Sequence, residues 1–340
     1  MGKTILVTGA AGFIGFHICK KLLDEDYELI GIDNLNSYYD VNLKKQRINQ
    51  LKNNSSKSKN LWNFKRIDIE NNEALESIFQ EYNPSIVINL AAQAGVRHSI
   101  KNPKLYVSTN MLGFSNILEC CRKYDVKNFI YASSSSVYGG NKKIPFSEND
   151  SVDHPISLYA ASKRANELMA FSYSHLYNIS SIGLRLFTIY GPWGRPDMAP
   201  MIFSDAIVNQ KTLKIFNNGD MARDFTFIDD VVEIIKRLIE KPIKKSFVAN
   251  GLSTKSLAPH KIFNLGKSEP IQLMKFINLL EDEFQIKAKK TFFGMQAGDV
   301  EITYAETKEI ELYTGFKPKV NIKEGIKKFV TWYKKHYQLT

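Results

Sequence analysis

The stretch TILVTGAAGFIGFHICKKLL, residues 4–23, decides the fold. Thr4 to Gly9 reads as a short apolar strand, and from Phe13 onward the apolar side chains fall at helical spacing. Gly9, Gly12 and Gly15 stand at the junction. Glycine lets a backbone turn tightly and approach a ligand, while the first amides of a helix have no intrahelical acceptor. Strand, glycine turn and helix start together make a pyrophosphate site, with Phe13 and Ile14 in the first turn beside the glycines. Glycine clusters also simply make turns, so the next strand matters. ELIGID (28–33) ends on Asp33, eighteen residues past Gly15, with Asn34 next in line. A carboxylate there bonds the adenosine ribose hydroxyls and repels the extra phosphate of NADP, so NAD is the expected cofactor. A capping aspartate in a plain βαβ unit is the competing reading.

Working outward, short apolar runs recur at 63–69, 85–92, 128–134 and 181–191. Several are apolar on both faces, the mark of a covered parallel sheet. Helical patterns at about 13–25, 71–82, 104–124 and 158–178 separate them. This alternation predicts an α/β fold built on a doubly wound parallel sheet of Rossmann type. KNNSSKSKN (52–60) is polar and unpatterned, and reads as a solvated insertion. At GPWGRPDMAP (191–200) three prolines and two glycines break the rhythm. Beyond it we expect helices near 198–209, 229–241, 270–284 and 321–337, a loop over 214–227 and a strand at 261–266. The division expected is a dinucleotide-binding domain over 1–191, with return segments about 223–266. A smaller C-terminal substrate domain takes 192–222 and 267–340.

Composition narrows the function classes. The 340 residues carry 46 Lys and Arg against 35 Asp and Glu, a net charge of +11, yet the basic residues are scattered. That pattern predicts tolerance of anionic ligands, with neither a nucleic-acid nor a membrane partner. Glycines interrupt the apolar N-terminus, so no signal peptide is expected and the chain reads as cytoplasmic. Three cysteines without CxxC spacing, and six histidines without ligand spacing, predict no disulfide framework and no metal site.

A second constellation carries the chemistry. In YAASK (159–163) four residues separate Tyr159 from Lys163, which on a helix puts phenol and ammonium on one face. A free tyrosine titrates near about 10, and a neighbouring cation favours its phenolate as a base. ASSSSVYG (132–139) leaves the fifth strand, where the Ser134 hydroxyl can share a substrate proton with the tyrosine. Alone, the Tyr–Lys pair would more often be an ordinary surface pair.

With these pieces in order, the chain resembles the extended short-chain dehydrogenase/reductase superfamily and, within it, the UDP-glucuronate 4-epimerases. The matching stretches are GIDNLNSYYD (31–40), NLAAQAGVRHSI (89–100), YASSSSVYG (131–139) and HPISLYAASKRANELM (154–169). They continue through LRLFTIYGPWGRPDMA (184–199), FNNGDMARDFTFIDDVV (216–232) and QAGDVEITYAET (296–307). Asn89 departs from the family's usual His, with little effect expected on the chemistry.

The resemblance implies an NAD-dependent isomerase acting on a UDP-sugar, with Tyr159, Lys163 and Ser134 catalytic. It implies cofactor contacts at Asp68, Ile69, Leu90, Ala91 and Ala92. Asn110 is implied on the cofactor side or as a structural clamp, a helix cap being the alternative. For the UDP-sugar it implies Ser134, Ser135, Ser136 and Tyr159, with Arg223 on the diphosphate, Phe216 on uracil and Asp299 on the ribose. Core packing competes for Phe216, and a solvated role for Arg223. Dehydratases of this fold carry an Asp–Glu pair just before VYG, and decarboxylases a Glu. Ser135 and Ser136 offer no carboxyl group, so epimerisation is the expected reaction. Thr188 and Arg195 are candidates for a sugar carboxylate, against a strand-end hydroxyl and a loop-stabilising cation. The rivals are a UDP-N-acetylhexosamine or UDP-glucose 4-epimerase and an idle NAD-sensing scaffold. Helices 104–124 and 158–178 carry apolar stripes, and a homodimer is the default expectation.

Overall fold

The computed structural model describes residues 4–25, 27–55, 62–249, 252–255, 257–296 and 300–339. Strands β1 (Thr4–Thr8), β2 (Glu28–Asp33) and β3 (Trp62–Arg66) alternate with helices α1 (Phe13–Leu23), α2 (Val41–Ser55) and α3 (Asn72–Tyr82). After β4 (Ile86–Asn89) come the short helices α4 (Val96–Lys101) and α5 (Pro103–Tyr106), a π-helical turn (Val107–Gly113) and α6 (Phe114–Lys123). β5 (Asn128–Ser134), α7 (Leu158–Tyr177) and β6 (Ser180–Leu186) follow. The rest of the chain holds β7 (Thr188–Tyr190), α8 (Ala199–Val208), β8 (Thr212–Ile215), β9 (Ala222–Phe227) and α9 (Ile228–Glu240). The hairpin β10–β11 (Ser246–Ala249, Leu252–Lys255), β12 (His260–Leu265) and β13 (Pro270–Gln272) come next. α10 (Leu273–Phe284), β14 (Lys289–Phe292), α11 (Lys308–Thr314) and α12 (Ile322–His336) complete it.

Seven parallel strands form the central sheet in the order β12-β6-β5-β4-β1-β2-β3. The order reverses between β1 and β4, and such a reversal opens a crevice at the carboxyl ends of the strands. Alternation along β1 builds two cores. Ile5 and Val7 join one apolar cluster with Phe16 and Leu22 of α1 and Val231, Ile234 and Ile235 of α9. Leu6 points the other way, into a cluster with Leu75 and Phe79 of α3 and Ile117 and Leu118 of α6. Each such side chain contributes roughly 1.5–3 kcal/mol when fully buried, so helices on both faces hold the sheet.

The structure departs from the sequence expectation in several places. The run 181–191 is two strands, because the chain turns at Phe187 out of the main sheet and β7 pairs with β9 instead. The expected loop over 214–227 contains β9, which β13 and β7 flank. The pattern at 104–124 is broken into α5, the π turn and α6, with Pro103 opening the first. Strand 63–69 stops at Arg66, and 85–92 at Asn89. The polar stretch from residue 52 begins as the end of α2, a helix the pattern did not reveal, and residues 56–60 lie outside the described residues. Among the described residues no helix is long and apolar enough to cross a membrane.

Candidate active site

A cleft of about 740 Å³ runs across the carboxyl ends of the strands at the order reversal. One end is lined by Gly9, Gly12, Phe13, Ile14, Gly15, Asp33, Asn34, Asp68, Ile69, Leu90, Ala91 and Ala92. The other is lined by Ser134, Ser135, Ser136, Tyr159, Lys163, Thr188 and Arg195. The fold thus gathers residues drawn from eight separate stretches of chain into one groove.

The glycine turn is dictated by space. Gly9 has φ +67°, and a Cβ there would sit 2.8 Å from the Ala91 nitrogen, while a Cβ on Gly15 would meet the Gly9 carbonyl oxygen at 2.2 Å. Gly12 N–H donates to the Gly9 carbonyl (2.9 Å), and Phe16 N–H makes the first helical bond, to Gly12 (3.0 Å). The amides of Phe13, Ile14 and Gly15 therefore open α1 toward the cleft, the arrangement that receives a pyrophosphate. Asp33 accepts from Ala11 N–H (3.2 Å) and Leu35 N–H (2.8 Å) at the end of β2. Burial pushes its carboxyl above the ordinary value, and the Lys44 ammonium works against that rise. Asn34 donates to Asp68 (2.8 Å), joining the ends of β2 and β3 around the adenosine position. These residues fit a dinucleotide.

At the other end α7 presents Tyr159 and Lys163. Ser157 caps the helix, its hydroxyl accepting from Ala160 N–H at 3.1 Å, which fixes where the first turn points. Burial raises the Tyr159 phenol above its ordinary value, and a hydrogen bond with Ser134 and the charge of Arg195 pull it back. Lys163 is held elsewhere: its ammonium donates to the Ala132 carbonyl (2.9 Å), and burial lowers it to about 8. Ser134 and Arg195, rather than Lys163, are the groups that lower the phenol here. Ser134 Oγ donates to Ser136 Oγ (3.1 Å) and accepts from Ser136 N–H (3.2 Å).

Behind these groups lies a buried charge network. Glu167, one helical turn beyond Lys163, accepts from Ser133 Oγ (2.7 Å) and from Arg185 Nε (2.9 Å) and Nη2 (3.0 Å). It fastens α7 to the ends of β5 and β6. Asn110 does similar work. Its side chain accepts from Gln93 N–H (2.7 Å) and donates to the Gln93 carbonyl (3.0 Å) and Ser162 Oγ (3.0 Å). It sits in the π turn as a buried clamp, and Thr109 rather than Asn110 reaches the cleft.

Several residues in and behind the cleft that support these groups escaped the sequence reading, among them Asp197, Tyr38, Arg47, Lys44 and Arg97. Arg195 Nε and Nη2 grip the Asp197 carboxylate side-on (3.0 and 2.5 Å), and Tyr38 Oη donates to the same carboxylate (3.0 Å). Arg47, wholly buried, donates to the carbonyls of Ala11 (2.8 Å) and Trp193 (2.6 Å) and to Tyr39 Oη (2.8 Å). It ties the glycine turn to the loop that carries Arg195. Lys44 donates to Asn36 (2.8 and 2.9 Å) beside Asp33, and Arg97 lines the cleft with its guanidinium over the Phe216 ring at 5.4 Å. The faint signal was the three-residue spacing of Lys44 and Arg47, which share the buried face of α2 with Leu43, Ile48 and Leu51.

Phe216 and Arg223, expected on the uracil and the diphosphate, are not among the residues that line the cleft. Phe216 lies beyond Arg97 and against Phe293 (5.8 Å between rings). Arg223, on β9, donates to the carbonyls of Ala222 and Glu301, both at 2.9 Å. Asp299 lies outside the described residues.

Comparison with known proteins agrees with this geometry. A family model described as GDP-mannose 4,6 dehydratase matches residues 6–329. Protein CapI of Staphylococcus aureus is 47% identical over 98% of this chain and 99% of its own. A probable UDP-glucuronate 4-epimerase of Rhizobium meliloti is 44% identical over 98% of this chain and 97% of its own. Among solved structures, the UDP-glucuronic acid 4-epimerase of Bacillus cereus, crystallised with UDP-glucuronic acid and NAD, superposes with a TM-score of 0.87 at 32% identity, covering 98% of this chain and 100% of that one. The chain belongs to the GDP-mannose 4,6-dehydratase family, and it stands among that family's extended short-chain dehydrogenase/reductase-type nucleotide-sugar epimerases.

Proposed function

We propose that the protein is an NAD-dependent 4-epimerase converting UDP-glucuronate to UDP-galacturonate. The observation that carries this is one end of a cleft where Tyr159 and Ser134 face Arg195 and Thr188, with serines at 135 and 136. Tyr159 takes the proton of the sugar 4-hydroxyl, Ser134 shares that proton, and Lys163 steadies the cofactor side. NAD, when bound, supplies reversible hydride acceptance at carbon 4. The resulting 4-keto sugar turns about its diphosphate linkage and is reduced on its other face. Without a carboxyl group at 135 or 136, water elimination has neither its acid nor its base. Thr188 and Arg195 hold the carbon-6 carboxylate, and a charge-assisted contact of about 1.5–3 kcal/mol suffices for a tenfold preference or more.

Incubation with a panel of UDP-sugars and NMR identification of the products tests the reading. UDP-glucuronate is converted far faster than UDP-glucose, and Arg195→Ala narrows the gap at least about tenfold. A preference for UDP-N-acetylhexosamines, or unchanged selectivity in that variant, contradicts it.

We also propose a division of labour between residues 1–191, returning through about 223–266, for the dinucleotide and the remaining segments for the UDP-sugar. β12 lying beside β6 supports the return. Three unpaired, buried cysteines support a cytoplasmic setting. A homodimer fits the exposed Leu105, Leu112, Leu168 and Leu176 on helices packed side by side around α6 and α7. Sedimentation should give twice the chain mass, and Leu112→Glu with Leu168→Glu should halve it. A wild-type monomer removes the dimer.

A further inference from the structure

We infer that Asp197 is a positioning residue that sets how tightly the enzyme grips its sugar carboxylate. This rests on the reading in which Arg195 is that carboxylate's partner. The guanidinium of Arg195 has two edges able to offer paired N–H groups. Asp197 occupies the Nε/Nη2 edge, with Oδ1 at 3.0 Å and Oδ2 at 2.5 Å. The hydrogen bonds of Arg195 to Asp197 use Nε and Nη2, which leaves the end-on edge that includes Nη1 for a substrate carboxylate. Tyr38, from the loop after β2, donates at 3.0 Å to Asp197 Oδ2, the same oxygen that Arg195 Nη2 holds. The Tyr38 ring also lies beneath the guanidinium, 5.8 Å from its carbon. Arg195, Asp197 and Tyr38 all line the cleft.

Charge counting gives the consequence. Arg195 and Asp197 together are neutral, so a substrate carboxylate arriving end-on brings the group to a net charge of −1. Two carboxylates then share one cation and repel each other at a pair that is only partly exposed, where solvent screens that repulsion in part. Burial pushes the Asp197 carboxyl up, but the Arg195 guanidinium and the Tyr38 hydroxyl outweigh it and hold the group below the ordinary carboxylate range. Asp197 is therefore charged at neutral pH. Epimerisation gives such a brake a use: the sugar must be selected by its carboxylate, then let go of enough to turn over between the two transfers. An unopposed guanidinium would select well and release poorly.

Asp197→Asn keeps the shape and removes the charge. Titration of UDP-glucuronate into NAD-loaded Tyr159→Phe protein, with and without Asp197→Asn, reads the grip without turnover. The charge-deleted protein binds UDP-glucuronate at least about fivefold tighter, while UDP-glucose, which has no carboxylate, changes by less than about twofold. With Tyr159 intact, Asp197→Asn lowers both KM and kcat on UDP-glucuronate. Asp197→Ser, which deletes the same charge with a smaller side chain, shifts affinity in the same direction. A purely structural role predicts the reverse, weaker binding of both sugars as the loop loosens, and that result overturns the inference. Arg195→Ala separates the two claims. Lost carboxylate selectivity in that variant, with no tightening by Asp197→Asn, defeats the brake alone. Unchanged selectivity in Arg195→Ala defeats the reading on which the brake rests.

Discussion

Tyr159→Phe lowers turnover by about 10²–10⁴-fold while UDP-sugar affinity and thermal stability stay close to wild type. Only a hydroxyl leaves, and the ring keeps its place against Tyr106, with ring centres 6.1 Å apart. The phenol oxygen is the group that Ser134 and Arg195 draw toward its charged form against the push of burial. Neither neighbour replaces it as a base. Ser134 is itself tied to Ser136, and Arg195 to Asp197. Lys163, lowered to about 8, lines the same end of the cleft, but its ammonium is anchored on the Ala132 carbonyl rather than on the phenol. Steady-state kinetics beside calorimetric titration of the UDP-sugar checks the separation. Near-normal turnover in the Phe variant would require another base.

Glu167→Leu destabilises the fold by about 3–5 kcal/mol, because it leaves a buried guanidinium without its partner. Arg185 is 2% exposed and Glu167 1%, so water cannot take over. The variant also strips Ser133 of its acceptor and frees Arg164, which reaches the second carboxylate oxygen at 3.1 Å. Because Ser133 precedes Ser134, turnover falls even in protein that remains folded. Urea denaturation measures the loss. An exposed pair is the control: Asp125→Asn, which removes the partner of Lys127 at the surface, leaves the midpoint where it was. Equal effects from the two variants would contradict the weight given to burial.

What could be read in the sequence was what is local in the chain. Gly9, Gly12 and Gly15 lie within one turn of each other, and steric space at each of them is settled by backbone a few residues or one neighbouring strand away. Tyr159 and Lys163 are neighbours on a helix by spacing alone. α2 stayed hidden because Lys44 and Arg47 point inward, where an apolar stripe is normally sought, and only distant carbonyls at Ala11 and Trp193 explain a buried arginine. The break at Phe187 falls inside an unbroken apolar run, and its cause is β9, about forty residues on, which takes β7 as a partner. The π turn depends on Asn110 finding Gln93 and Ser162, contacts made only after folding. Asp197 and Tyr38 are 159 positions apart and meet over Arg195, which no spacing rule reveals.

The central claim is that carbon 4 loses its hydrogen to the cofactor and recovers the same hydrogen on the other face. UDP-glucuronate carrying deuterium at carbon 4, incubated in ordinary water with catalytic NAD, tests it by NMR of the product. The account predicts UDP-galacturonate with deuterium retained at carbon 4 and no lasting accumulation of reduced cofactor. Loss of the label to solvent, or product formed only in proportion to NAD consumed, would contradict it.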